Sequence, residues 1–557
     1  MQRFFLTGFR PYLILTLICA CLYTPGLTAI PVLDRDEARY VQATRQMLES
    51  GDFIDIRFQE EPRYKKPVAV YWLQAATVAL VSDAAATEVW PYRIPSAVGA
   101  WIAVLLTFAF GARLLDRRSA LLGAVLLASS LMLMLEAHQA KTDAVLLATV
   151  VATLGALGHF YVAARRQEEL PVPKRWIGGM AAVFWISLGL GVLVKGPVLP
   201  MVVVATTALL VAWDRDWRWL RPLQPLKGML LAALVVLPWA GAMAIESGLA
   251  FFTEAVEGDI LPKLISGHES HGAPPGYYAL LMVAFFWPGS LLALPALVAA
   301  WGERTAAGVR FCFAWLIPAW IVFELVPTKL PHYVLPLYPA LALLTAYAVL
   351  AAVAAGRAIV TRRWPVVWYG AWAAVGGILA VAAIAVPPIL GDGFTAWSLL
   401  AAPAAAGAGA AGFILARRQR PLAALAAGVT LGAVALVTIM EGVVVRASDL
   451  WVSRSIHAVV ADLAPAPRPP VAVSGFSEPS VVFLLGTDTV LGVGAVAAEH
   501  LLAEPDALAV VEERQESAFR DTLGDQVDAL ESLASVTGLN YSRGRTVTLT
   551  VYRLASP

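Results

Sequence analysis

The chain has 557 residues, 59% of them hydrophobic, with 41 Lys plus Arg against 40 Asp plus Glu and a formal net charge of +1. Its mean hydropathy of +0.70 is more than a water-soluble core absorbs, since soluble domains are about half apolar. An ordinary soluble enzyme is therefore excluded, and a balanced charge without a basic, aromatic-laced stripe gives no footprint for nucleic acid.

Apolar runs of about 20 residues, the length that crosses hydrocarbon, recur from Pro11 to Met440. The expected spans are 11–30, 94–112, 119–135, 143–160, 176–194, 197–212, 228–245, 277–300, 311–327, 335–353, 366–386, 396–416 and 422–440, about thirteen transmembrane helices in all. Arg3 and Arg10 precede the first run as in a signal peptide, but no small-residue cleavage site follows before Pro31, so the segment is expected to stay. Cys19, Cys21 and Cys312 lie inside apolar runs and read as small hydrophobes.

Basic clusters fall in every second short loop: Arg113, Arg117 and Arg118; Arg165, Arg166, Lys174 and Arg175; Arg215, Arg218, Arg221 and Lys227; Arg357, Arg362 and Arg363; Arg417, Arg418 and Arg420. By the positive-inside rule these loops are cytoplasmic. The same parity excludes 67–81 as a crossing and lays it along the outer interface, with Tyr71 and Trp72 suited to headgroup depth. The last span then delivers the tail outside. The expected architecture is an α-helical polytopic membrane domain over 1–440, with an outer first loop at 31–93, followed by a small mixed α/β domain over 441–557. In that tail "VAVSGF", "PSVVFLLG", "ALAVVEER" and "TVTLTVYRL" read as strands, and Glu512 to Leu523 as a helical segment.

The first loop is unusually charged. Asp34, Arg35, Asp36 and Glu37 follow a span directly, and residues 36–50 have helical spacing. Asp34 or Asp36 could serve only as a helix cap. Other polar residues collect at the same depth: Lys65 and Lys66; Asp143 after Lys141 and Thr142; Lys195 in "VKGPV"; His268, Glu269 and His271; Lys329, His332 and Tyr333 in "PTKLPHYVLPLYP". Each has a bland alternative, Asp143 as a cap and Lys195 as a snorkelling side chain. Charges near lipid are costly, so several on one side favour a shared polar cavity for an anionic ligand. His268 and His271 with Glu269 form the one expected place for a divalent metal such as zinc. No nucleotide-binding signature of the GxxxxGK[ST] or GxGxxG type is present.

Taken in order, "DEARY", "KKPVAVYWL", "RIPSA", "KTDAVLLA", "VKGP" and "KLPHYVLPLYP" resemble the bacterial membrane glycosyltransferases that use polyprenyl-phosphate sugars, nearest the lipid A aminoarabinose transferases. These belong to the GT-C fold, which also holds the protein O-mannosyltransferases. The resemblance covers residues 1–350 by motif and the rest by layout. It implies inverting transfer of 4-amino-4-deoxy-L-arabinose from undecaprenyl phosphate to lipid A phosphate, by a monomer of the bacterial inner membrane with its site and C-terminal domain in the periplasm. By motif match, Asp36 and Glu37 lead the catalytic candidates, with Asp34 and Asp143 next. Lys65 or Lys66, Lys195 and Lys329 are assigned to donor phosphate, and Tyr40, His332 and Tyr333 to the substrate cavity. One departure is Lys65, which stands where many relatives carry an acidic residue before Lys-Pro.

A phosphate acceptor is already ionised and needs orientation more than deprotonation, so the role of Asp36 as a general base stays open. No cofactor is required in principle, because phosphate is a leaving group whose charge side-chain cations can carry. Two rivals remain: a related transferase with a protein or other glycan acceptor, and a lipid-linked sugar transporter or flippase. The latter would also bury charges among many helices.

Overall fold

The computed structural model describes residues 6–168, 177–265, 272–357, 365–463, 469–504 and 506–555. Among them eight helices are long and apolar enough to cross a membrane, or nine if Arg117–Ala128 and Leu131–Ala137, which meet at 60°, form one span. Five more apolar helices are shorter: Arg10–Tyr23, Ala69–Val81, Gly179–Lys195, Val198–Asp214 and Ser290–Trp301. At about 1.5 Å of rise per residue each falls short of the roughly 30 Å of hydrocarbon in a bilayer.

Each expected span falls on helix, and the difference from about thirteen full crossings lies in where helices break. Gly196, at φ +62°, and Pro197 separate Gly179–Lys195 from Val198–Asp214. Pro288 and Gly289 divide the expected span 277–300 into Tyr277–Phe285 and Ser290–Trp301. At the 60° bend, the Ser129 and Ser130 hydroxyls donate back to the Val125 and Leu127 carbonyls at 2.9 and 2.7 Å. Such back-bonding competes with the helical ladder. Where helices stay whole they pack closely. A Cβ at Gly308 would sit 1.9 Å from the Leu114 carbonyl oxygen, so only glycine lets Ala307–Leu325 approach there.

The first loop folds into the helix Asp36–Ser50, a two-residue hairpin pairing Arg57–Phe58 with Glu61–Pro62, and the helix Ala69–Val81. The two helices are joined by Thr44 Oγ1 donating to Gln74 Oε1 at 2.7 Å. Trp72 is exposed, as a headgroup-depth residue should be, with its indole N–H on the Phe53 carbonyl at 2.8 Å. Tyr71 departs from that expectation. It is fully buried, its ring 5.2 Å from that of Tyr40, because it faces the Asp36–Ser50 helix.

The tail forms a five-stranded sheet in the order Val490–Gly492, Val471–Ser474, Leu508–Glu512, Arg545–Leu554, Leu530–Asn540. Its first three strands are parallel and its last two add on antiparallel. The expected strand at 479–486 is instead the helix Pro479–Leu485. All seven of its residues are buried, so no periodicity betrayed it, and Pro479 sits at the helix start, where its fixed φ is favourable. Strands at 490–492 and 530–540 were not expected.

The tail docks on the first loop. Arg45 Nη1 donates to the Phe483 carbonyl at 2.8 Å, and Gln42 Nε2 to Thr487 Oγ1 at 2.9 Å. Gln59 Nε2 reaches the Thr487 and Thr489 carbonyls at 2.9 and 2.7 Å.

Candidate active site

A cavity of about 650 Å³ is lined in part by the first loop, and its lining is of two kinds. Part of the lining is hydrocarbon, from Val192, Leu193, Met201, Trp239, Phe251 and Phe323 on and beside the apolar helices. Another part of the lining is charged: Arg39, Arg63, Lys65, Lys66, Lys141, Lys195 and Lys263 face the cavity with, among the described residues, two carboxylates, Asp36 and Asp143.

Each group is placed by a break in regular structure. Asp36 is the first residue of its helix, Asp143 opens the helix Asp143–Arg165, and Lys195 closes Gly179–Lys195 just before Gly196. His332 and Tyr333 lie on the 3₁₀ turn Pro331–Leu337 that leads into the helix Tyr338–Ala354. Helix ends at one level of the bundle thus converge on the cavity.

Asp143 does not cap its helix through its side chain. Its carboxylate accepts from Lys195 Nζ at 2.6 Å, so Lys195 is held in a pair and does not snorkel. Lys195 Nζ also lies 5.4 Å from the centre of the Tyr333 ring, within cation–π range. Lys141 is held by Glu136 at 2.9 Å, and the His332 ring bridges the two pairs, 3.8 Å from Glu136 Oε1 and 3.9 Å from Asp143 Oδ2. A continuous polar network therefore runs Lys141, Glu136, His332, Asp143, Lys195. Arg63, which also lines the cavity, stands over the Tyr40 ring at 5.1 Å.

Asp36 differs from its neighbours. It is accessible from the cavity and is tied into no hydrogen bond or ion pair among the described residues. Burial pulls its carboxyl upward, but Lys141, Arg63, His332 and Lys66 outweigh that and hold it below its ordinary value. An ionised, untethered carboxylate in a field of cations is available to a ligand.

The sequence candidates therefore divide. Asp36, Tyr40, Lys65, Lys66, Asp143, Lys195, His332 and Tyr333 line the cavity. Glu37 does not: fully buried, it grips Arg93 through both oxygens at 2.8 Å and accepts from the Leu33 and Ala140 amides at 2.9 and 2.7 Å. Asp34 turns toward the tail, where its carboxylate accepts from Ser480 and its amide donates to the Tyr541 hydroxyl at 2.7 Å. Neither Asp34 nor Asp36 caps the helix through its side chain, since Arg35 holds the cap position. Lys329 donates to the Ala273 and Val326 carbonyls at 2.8 and 2.7 Å, which closes a turn instead of facing the cavity. His268, Glu269 and His271 lie outside the described residues.

Arg63, Lys141 and Glu136 belong to the site but were not candidates. Arg63 stood in the basic run with Lys65 and Lys66, and Lys141 two residues before Asp143. Glu136 had no signal, being an isolated acid at the end of an apolar run.

Residues 9–251 match the family profile described as dolichyl-phosphate-mannose-protein mannosyltransferase. A curated relative, the undecaprenyl phosphate-alpha-4-amino-4-deoxy-L-arabinose arabinosyl transferase of Pseudomonas aeruginosa (strain UCBPP-PA14), is 31% identical over 59% of this chain and 57% of its own length. The enzyme of that name from Erwinia tasmaniensis is 27% identical over 61% of this chain and 59% of its own. The chain thus matches less than two thirds of the length of these relatives. In structure it is similar to ArnT from Cupriavidus metallidurans, with a TM-score of 0.71 at 19% identity over 98% of both chains. The same ArnT bound to undecaprenyl phosphate covers 99% of this chain, also at 0.71. The Archaeoglobus fulgidus oligosaccharyltransferase gives 0.51 at 12% identity, over 86% of this chain and 64% of its own. The chain is a multi-pass membrane protein with the fold of ArnT, and in sequence and fold it resembles the GT-C glycosyltransferases.

Proposed function

We propose that the protein transfers 4-amino-4-deoxy-L-arabinose from undecaprenyl phosphate to a phosphate of lipid A, with inversion at the anomeric carbon. The observation that carries this is the mixed lining of the cavity, whose cationic side chains suit a phosphate and whose apolar side chains suit a polyprenyl chain. The relatives named for this reaction and the ArnT bound to undecaprenyl phosphate supply the sugar and the lipid.

Arg63, Lys66, Lys141 and Lys195 bind the donor phosphate and stabilise the negative charge that grows on it as it leaves. The bond from the anomeric carbon to the phosphate oxygen breaks, and its electron pair departs with the polyprenyl phosphate. An acceptor phosphate oxygen forms the new bond from the opposite face. That oxygen is already ionised, so Asp36 serves by orienting acceptor and sugar and by stabilising positive charge on the sugar.

The relatives' reaction and the charge bias of the loops support an inner-membrane protein with this cavity and the tail in the periplasm, and we take it to act as a monomer. No divalent metal is expected at this site, because Asp143, one of its two carboxylates among the described residues, is already paired with Lys195. The mannosyltransferase profile favours one alternative, a protein acceptor with the same donor chemistry. Mass spectrometry of lipid A from cells with and without the protein decides between them. An added aminopentose that depends on the protein is expected, and unchanged lipid A under inducing conditions would overturn the acceptor assignment.

A further inference from the structure

Asp36 enters the cavity immediately after a residue in an unusual conformation. Arg35 has φ 66° and ψ −107°, outside the left-handed helical region and in ground that normally belongs to glycine. A side chain stays there only when its surroundings determine it. On one flank the loop is held from within, by the Leu33 amide on Glu37 Oε2 at 2.9 Å and the Ala38 amide on the Leu33 carbonyl at 3.0 Å.

The other flank is held by the tail, from about 450 to 500 residues away in sequence. Tyr541 accepts from the Asp34 amide at 2.7 Å, Ser480 donates to the Asp34 carboxylate, and the Ser542 carbonyl accepts from the Arg35 guanidinium. These partners are braced. Ser480 Oγ lies 2.5 Å from Ser453 Oγ, and Asn540 Nδ2 donates to Glu478 Oε1 at 2.9 Å. That last bond ties the hairpin turn carrying Tyr541 to the helix start carrying Ser480.

We propose that the C-terminal unit is a positioning element for the cavity carboxylate: Ser480 and Tyr541, by gripping Asp34, keep Arg35 in its strained turn and so aim Asp36 at the substrate. This rests on the transferase reading of Asp36 above. Ser480 and Tyr541 act through Asp34 and Arg35 and do not line the cavity.

The test uses full-length protein in lipid vesicles, with the variants Ser480→Ala, Tyr541→Phe and their combination, each also carrying Arg35→Gly. The combined clamp variant is expected to lose about tenfold or more in kcat, with donor KM changed less than about twofold. Arg35→Gly is expected to restore most of that loss, because glycine adopts the turn unaided. A merely structural role would lower the folded fraction and leave kcat per folded molecule unchanged. That result, or a loss that Arg35→Gly fails to recover, overturns the proposal. Hydrogen exchange supplies a readout free of substrate: amides of residues 33–40 should exchange at least about tenfold faster in the clamp variant. Unchanged exchange refutes the clamp, whereas a wild type inactive on the aminoarabinose donor refutes the transferase reading.

Discussion

Asp36 and Glu37 are adjacent carboxylates with opposite expected fates on amide substitution. In Glu37→Gln, Arg93 keeps its bonds to the Leu27, Ile30 and Pro31 carbonyls but loses the one carboxylate paired with it among the described residues, both side chains being fully buried. Breaking one side of a buried ion pair costs about 3–5 kcal/mol, because the remaining charge is left uncompensated. That is a large share of a typical domain's stability of roughly 5–15 kcal/mol. Asp36→Asn removes no hydrogen bond or ion pair among the described residues. Its fold should survive, while turnover falls by about 10²–10⁴ through loss of the orienting charge. The assay is parallel: resistance to unfolding by denaturant in detergent micelles, and single-turnover transfer normalised to folded protein. The reasoning fails if Glu37→Gln unfolds like the wild type yet loses as much turnover as Asp36→Asn.

Replacing Lys195 by Met removes a charge-assisted contact worth about 1.5–3 kcal/mol. Donor kcat/KM should fall roughly 10- to 150-fold, read from initial rates across donor concentration. Burial lifts the Asp34 carboxyl from 3.8 to about 7, against the lowering effect of Ser480 and with a further push from Glu478. The folded chain then holds that proton more tightly than the unfolded chain, so stability should fall as pH rises from about 4 to about 7, by at most about 4 kcal/mol. Partial exposure reduces that figure, and Asp34→Asn should flatten the slope in denaturation curves measured across the window. Transfer by protein dialysed against EDTA should match untreated protein; activity lost with EDTA and regained with a divalent cation would place a metal in the reaction.

The helical, lipid-embedded character was legible because composition forces it, and the helix at 36–50 because its spacing is regular. Breaks inside apolar runs were harder to see. Nothing in a stretch such as 119–135 marks a 60° bend except two serines whose bonding depends on the folded backbone. The site was legible as a set of charges on one side, and most of those charges do meet in the cavity. What a linear sequence could not supply was partnership. Glu37 and Asp36 share a motif, and only the position of Arg93, 56 residues on from Glu37, separates a structural carboxylate from an available one. The helix at 479–485 was hidden for the converse reason, since uniform burial leaves no pattern to read.

Under the proposed function, the hydrocarbon part of the cavity lining sets the units in which the protein measures its substrate. A ligand that rests a polyprenyl chain on Val192, Trp239 and Phe323 is delivered from the bilayer, where its abundance is a mole fraction of lipid and not a bulk molarity. Under the proposed function, adding inert lipid at constant donor would lower the rate by surface dilution, while adding buffer would leave it unchanged. Saturation would then be governed by how crowded the leaflet is with donor and acceptor.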